Sequence, residues 1–243
     1  MGDLYFYLLI GLLVFLGFTV RVITGFGSAM ILAPLIALFL EPKHTVVFII
    51  LQECAMGIVF IVKEQLNFEI KHIFIGGFFG IIGGIFLFGL LSQRIVGFVI
   101  GVSVLTFSIL FLLNINFKTE REGLLFTTLG FLSGSMGVLT GINGPQIVLG
   151  LANQGYDGNF IRRCMITYLI VIDFVTLGSF SASGYVTANL LKLLVFAVPF
   201  LILSYVVGTY ILKFINPEKL KRIMLIITLF AGMLAIWKFL PWG

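Results

Sequence analysis

Ten apolar runs divide this chain, and the length of most of them leaves little choice of fold. They cover roughly residues 4–23, 28–40, 44–63, 73–91, 95–113, 123–139, 145–153, 163–183, 189–212 and 220–240. Eight reach the length, about 20 residues, at which a helix crosses the roughly 30 Å hydrocarbon core of a bilayer. Within that core a continuous apolar run must satisfy its own backbone N–H and C=O groups, and a helix does so. Charge agrees with this. Of 243 residues, 60% are hydrophobic and 10% charged, where a soluble domain carries about 25% charged residues. The charges gather in short clusters between the runs, none long enough to form a soluble domain. The chain reads as an all-α polytopic membrane protein. Its first run carries Asp3 and no basic n-region, so it is expected to be a first crossing rather than a cleaved signal peptide.

If every run crosses, the clusters KEQLNFEIKH, NINFKTERE, NQGYDGNFIRR and KFINPEKLKR share one face. That face holds Lys63, Lys71, Lys118, Arg121, Arg162, Arg163, Lys213, Lys219, Lys221 and Arg222; the other holds Lys43, Arg94, Lys192 and Lys238. Ten basic residues against four place the rich face in the cytoplasm and both termini outside the cell membrane. The parity depends on the two short runs, 28–40 and 145–153, because a re-entrant segment would flip half of the assignment. The formal charge of +5 is scattered among loops and does not indicate nucleic acid.

Each short run follows a glycine-containing turn, TGFGSAMILAP at 24–34 and TGINGPQIVLG at 140–150. Thr24, Gly25 and Ile31 recur as Thr140, Gly141 and Ile147 at one constant offset, with Phe26 answered by Ile142 and Gly27 by Asn143. Five runs precede NINFKTERE and five follow it, which gives two halves, residues 1–116 and 117–243. With an odd number of crossings per half, the second half enters the bilayer from the opposite face. That is the inverted-repeat plan of many secondary transporters, whose sites lie at the repeat interface on interrupted helices. A helix starting inside the membrane leaves its first backbone N–H groups unpaired, and glycine lets the backbone approach a ligand there. An anion satisfies those donors and the positive end of the helix dipole. The expected site is therefore built from Thr24, Gly25, Gly27, Ser28, Thr140, Gly141, Asn143, Gly144 and Gln146, and its ligand is a small anion or strongly polar molecule. Other glycines, such as GGFFGIIGG at 76–84, are read as close helix packing.

Three charged residues lie deep in the runs. Arg21 sits one turn before the first glycine turn, either as a buried ligand-binding group or snorkelling to the interface. Glu53 and Asp173 are the only acids in the middle of long runs, at pseudo-equivalent places in TVVFIILQECAMGIVFIV and CMITYLIVIDFVTLGSF. Desolvation drives an isolated carboxylate there to its neutral form, which suits proton carriage. The alternative is a permanently protonated acid held by Gln52, Tyr168 or a backbone carbonyl. The stretch YLIVID puts Tyr168 and Asp173 on broadly one side of a helix, so a network between them is expected, with Asp173 placed before Glu53 as carrier.

Other chemistry is not legible. His44 and His72 lie at segment ends without a third ligand at metal spacing, and Cys54 and Cys164 are isolated in apolar runs and read as small core residues. There is no nucleotide-binding loop and no assembled Ser, His and Asp set, so neither an enzyme nor a cofactor is expected. Lipid, the small anion and, at most, further copies of the chain are the expected partners.

The two half-repeats resemble the sulfite exporter TauE/SafE family of membrane transporters. That family has a glycine-rich turn and an apolar helix in each half, and its second half often reads Gly-Gly-Pro followed by Phe, a spacer and Arg. Here Asn143-Gly144-Pro145 and then NFIRR, with Phe160 and Arg162, match that pattern. The likeness runs from about residue 8 to residue 238. It implies export of sulfite, sulfonates or related sulfur oxyanions across the cytoplasmic membrane, and a structural or gating role for Arg162. Two departures, GFGS in the first turn and Asn143 in the second, place side chains where the family often has none and point to a pocket tuned to a different anion.

Overall fold

The computed structural model describes residues 2–113, 118–214 and 217–240, with side chains at these positions except 2, 3 and 217–223. The side chains of Asp3, Lys219, Lys221 and Arg222, and the boundary between residues 116 and 117, lie outside what is described. The described residues form ten helices and no strand: α1 (Gly2–Thr24), α2 (Ser28–Ile36), α3 (Pro42–Lys63), α4 (Lys71–Leu90), α5 (Gln93–Leu113), α6 (Glu122–Thr140), α7 (Pro145–Gln154), α8 (Gly158–Ala182), α9 (Ala188–Ile211) and α10 (Pro217–Phe239). Seven of them, α1, α3, α4, α5, α6, α8 and α9, are long and apolar enough to cross a membrane. The eighth expected crossing falls on α10, described with side chains only over Met224–Phe239.

Burial separates the core from the lipid-facing shell. In α3 and α8, 72% and 61% of the apolar window is buried, against 28–44% in the other long helices, so these two form the centre. They pack on each other and carry Glu53 and Asp173, which places both acids in the protein interior. The outer helices present a lipid-compatible surface of Leu, Ile, Phe and Val, including Phe86, Leu90, Val195 and Phe230.

The outer helices pair through small residues, as expected where apolar side chains gain little by leaving lipid. A Cβ on Gly76 or Gly80 of α4 would meet backbone atoms of α6, and one on Gly130 or Gly134 of α6 would meet the backbone of α4. The other outer pairs are α1 with α9 and α5 with α10. Counting five helices per half, exchange of the halves turns the α4–α6 pair into α9–α1 and maps α5–α10 and α3–α8 onto themselves.

The two short helices depart from this pattern in how they begin. α8 starts at a loop and is capped by Asp157, whose carboxylate accepts from the N–H groups of Asn159 (3.0 Å) and Phe160 (3.1 Å). Thr187 caps α9 in the same way. No side chain caps α2 or α7, as none caps α3, α4 or α6. α2 and α7 differ in that their first turns, Ser28–Met30 and Pro145–Ile147, are buried, so their first N–H groups and the positive ends of their dipoles are left to whatever lies before them inside the bundle.

Candidate functional site

Both interrupted segments turn by the same local chemistry. At the end of α1 the Thr24 hydroxyl donates to Val20 O (2.9 Å) and accepts from the Phe26 N–H (3.3 Å), while the Gly25 N–H closes on Arg21 O (2.7 Å). At the end of α6 the Thr140 hydroxyl donates to Met136 O (2.7 Å) and accepts from the Ile142 N–H (3.2 Å), while the Gly141 N–H closes on Gly137 O (2.8 Å). Gly25 and Gly141 have φ of 85° and 76°, a left-handed conformation that costs glycine little and other residues more. The hydroxyls of Thr24 and Thr140, expected to reach a ligand, are thus engaged in closing their own turns.

The turns converge. One small cavity is lined by Gly27, Ser28, Ala29 and Met30 from the start of α2 and by Ile142, Asn143, Gly144 and Pro145 from the start of α7, with Arg21, Glu53 and Leu169 completing the wall. A Cβ on Gly144 would stand 3.2 Å from Phe26 Cβ, so the two turns touch. The cavity measures about 10 Å³, close to the smallest space that holds a single water.

Arg21 is 1% exposed, which overturns the snorkelling alternative: its guanidinium turns into the interior to pair with Glu53. Its Nη1 pairs with Glu53 Oε2, and the Ser28 hydroxyl donates to Glu53 Oε1. The guanidinium lies 5.7 Å from the centre of the Phe60 ring, while Arg21 Nε and Nη2 have no hydrogen-bond partner among the described residues. In the other half the Asn143 amide donates to Asp173 Oδ1 at 2.5 Å, and the Asn143 carbonyl accepts from Ser133 of α6. Arg21 also interacts electrostatically with Asp173. Neither acid is therefore isolated. Each is tied to the start of the short helix of its own half, and the arginine lies between them.

The partners expected for the acids are not the ones found. Gln52 and Gln146 are buried with both amide atoms unpartnered among the described residues, and Gln146 does not line the cavity. Tyr168 reaches the Gly130 carbonyl at a long 3.5 Å and packs on Phe74 instead of bonding Asp173. Five residues on a helix turn about 140°, so Tyr168 and Asp173 interact electrostatically but share no hydrogen bond. Ser133 was not singled out in the sequence; it is one of several small polar residues in LSGSMG, and only the fold shows which of them meets the turn.

Arg162 lies outside the cavity. Its guanidinium makes two hydrogen bonds to the Glu64 carboxylate (3.0 and 2.8 Å) and one to Val22 O (3.2 Å), joining the start of α8 to the ends of α3 and α1. Its side chain also packs on Gly25. Beside it opens a vestibule of about 640 Å³, lined by Thr24, Phe26, Asp157, Asn159, Arg162 and Met224 among others. A neighbouring groove of about 400 Å³ carries Lys63, Arg162 and Arg163 with Glu64. Phe26 stacks on Phe111 with ring centroids 5.9 Å apart; it lines the vestibule and lies against Gly144 of the cavity wall. Among the described residues no group of His, Cys, Asp and Glu is placed to hold a metal ion.

Seven helices long and apolar enough to cross a membrane, packed around the central α3–α8 pair, define the class, a multi-pass membrane protein. The profile of the sulfite exporter TauE/SafE family matches residues 9–234, and the chain belongs to that family. Membership implies transport of sulfite- or sulfonate-type anions. No curated protein and no solved structure matches the chain.

Proposed function

We propose that this chain is a secondary transporter, not an enzyme, that exports a small sulfur-containing anion, sulfite or an organosulfonate, across the cytoplasmic membrane by alternating access. The observation that carries the reading is the convergence of two uncapped short-helix starts and a buried arginine on one cavity. Backbone N–H groups, helix dipoles and a guanidinium are all donors to oxyanions. Residues 1–116 and 117–243 act as two inverted repeats, in keeping with the exchange symmetry of the helix pairs, and the cavity lies at their interface. The basic loops face the cytoplasm. The vestibule opens on that face, where Lys63 and Arg163 raise the local concentration of anions. A cavity of about 10 Å³, far smaller than the vestibule of about 640 Å³, supports a carrier that opens to one side at a time over a continuous channel.

Proton coupling runs through one of the two buried acids, Glu53 or Asp173. The test is flux of labelled sulfonate or sulfite in proteoliposomes under an imposed pH gradient and an imposed voltage, applied separately. The amide variant of the acid that carries the proton, Glu53→Gln or Asp173→Asn, is expected to keep exchange between equal pools and lose accumulation driven by pH. Unaltered pH-driven flux in both single variants and the double variant would remove the acids from the coupling.

A further inference from the structure

We infer that Glu53 is the resident competitor of the transported anion. The substrate takes its place on Arg21 and Ser28, and Glu53 accepts a proton as it lets go, so anion and proton occupy the site together. This rests on the reading of the cavity as the anion site and adds to it the identity of the coupling residue and the sign of the coupling.

The geometry is a contest for shared donors. Glu53 holds Arg21 Nη1 through one carboxylate oxygen and the Ser28 hydroxyl through the other. Both donors line the cavity, and Ser28 is the first residue of α2. An oxyanion seated at this helix start needs the same two groups, together with the unpartnered Arg21 Nε and Nη2. Asp173 makes no such claim, since its hydrogen bond comes from Asn143. Glu53 rather than Asp173 is thus the group that an entering anion displaces.

Charge decides what Glu53 must do. Arg21 of the pair interacts with Asp173 of α8 and Cys54 of α3, and Tyr168 of α8 interacts with Asp173. Tyr205 of α9 meets the Phe60 ring edge-on beside the guanidinium, and Glu64 at the end of α3 is compensated by Arg162. The charges of α5 and α6, Arg94 and Glu122, sit in their first turns. The cluster therefore holds one cation and two carboxylates. A monovalent anion beside two ionised carboxylates would leave two uncompensated negative charges in a buried space, where repulsion is screened far less than in water. A proton on Glu53 relieves it: the Arg21–Glu53 ion pair breaks, the carboxylate becomes a neutral carboxylic acid, and Arg21 pairs with the substrate. A monovalent anion then moves with its proton as a neutral acid, so export follows accumulation of the product and the pH difference rather than the membrane voltage.

The test is calorimetric titration of the purified full chain with ethanesulfonate, whose sulfonate stays ionised at all working pH, in two buffers of different ionisation enthalpy. Sulfite and sulfoacetate are titrated alongside. The wild-type protein is expected to take up about one proton per ethanesulfonate bound near neutral pH, with affinity falling up to about tenfold per unit of rising pH. Glu53→Gln should bind more tightly, with neither proton uptake nor pH dependence, and Asp173→Asn should retain the uptake. Wild-type binding without proton uptake overturns the inference and leaves the anion site standing, as does uptake lost in Asp173→Asn and kept in Glu53→Gln. Binding of none of the three anions overturns the anion site itself.

Discussion

Arg21 at the end of α1 and Glu53 in the middle of α3 form an ion pair with both side chains at most 2% exposed. Such a pair costs more to break than it contributed on forming, because the surviving charge is left buried without compensation. Arg21→Gln is therefore expected to destabilise the protein by about 3–5 kcal/mol. The double variant Arg21→Gln/Glu53→Gln should lose less, since it leaves no orphan charge. Melting of the two variants in detergent checks this, and losses that simply add would contradict it.

Asn143 supplies the hydrogen bond that Asp173 accepts, and its carbonyl receives the Ser133 hydroxyl. Asn143→Gly removes the first and keeps the second. Leaving a buried carboxylate oxygen without its donor costs about 1–3 kcal/mol, while the cavity grows by a carboxamide. The preference among anions, measured by competition against one labelled sulfonate, should change more than the melting temperature does. Equal loss of transport for every anion at normal protein level would show that Asn143 only shapes the turn.

Phe26 lines the vestibule and lies against Gly144 of the cavity wall, so its truncation is expected to open a path between them. Cys54, adjacent to Glu53 and 4% exposed, is a native reporter of that path. In a Cys164→Ala background, Phe26→Ala should raise thiol labelling of Cys54 by about tenfold or more, and a bound anion should suppress the increase. The scale is that of an opening free energy lowered by about 1.4 kcal/mol. Labelling unchanged by Phe26→Ala would place the barrier elsewhere.

How much of this was legible beforehand follows from the range of each signal. Helix positions came through well, because apolar length and the two glycine turns are local properties; α2 and α7 begin at Ser28 and Pro145, where the short runs were placed within a residue. The convergence of the turns followed from their repetition. Arg21 left two readings open because nothing in its own helix shows that Glu53, on another helix, will meet it. Thr24 and Thr140 were assigned to the ligand since a hydroxyl beside a turn reads alike whether it points outward or closes back on the preceding carbonyl. Tyr168 and Asp173 interact electrostatically without a hydrogen bond, because five residues on a helix turn them about 140° apart.

Close packing of α4 on α6 makes a further test. A methyl on Gly76 would strike the backbone of Thr127 and Phe131, whereas one on Gly83 meets nothing within 4 Å. Gly76→Ala should destabilise by about 1–3 kcal/mol through overpacking, and Gly83→Ala should be neutral or slightly stabilising because alanine favours helix. Equal melting temperatures for the two variants would mean that the α4–α6 contact yields more easily than its backbone atoms allow.

The central claim is that the anion binds where the starts of α2 and α7 meet Arg21. Selenite is an oxyanion of sulfite's shape whose selenium scatters anomalously, so diffraction from crystals grown with it locates the anion without reference to any mutation. The account predicts an anomalous peak between Ser28 and Gly144, with its oxygens about 3 Å from the Arg21 guanidinium and Glu53 withdrawn from Arg21. A peak confined to the vestibule beside Arg162, with the Arg21–Glu53 pair intact, would contradict it.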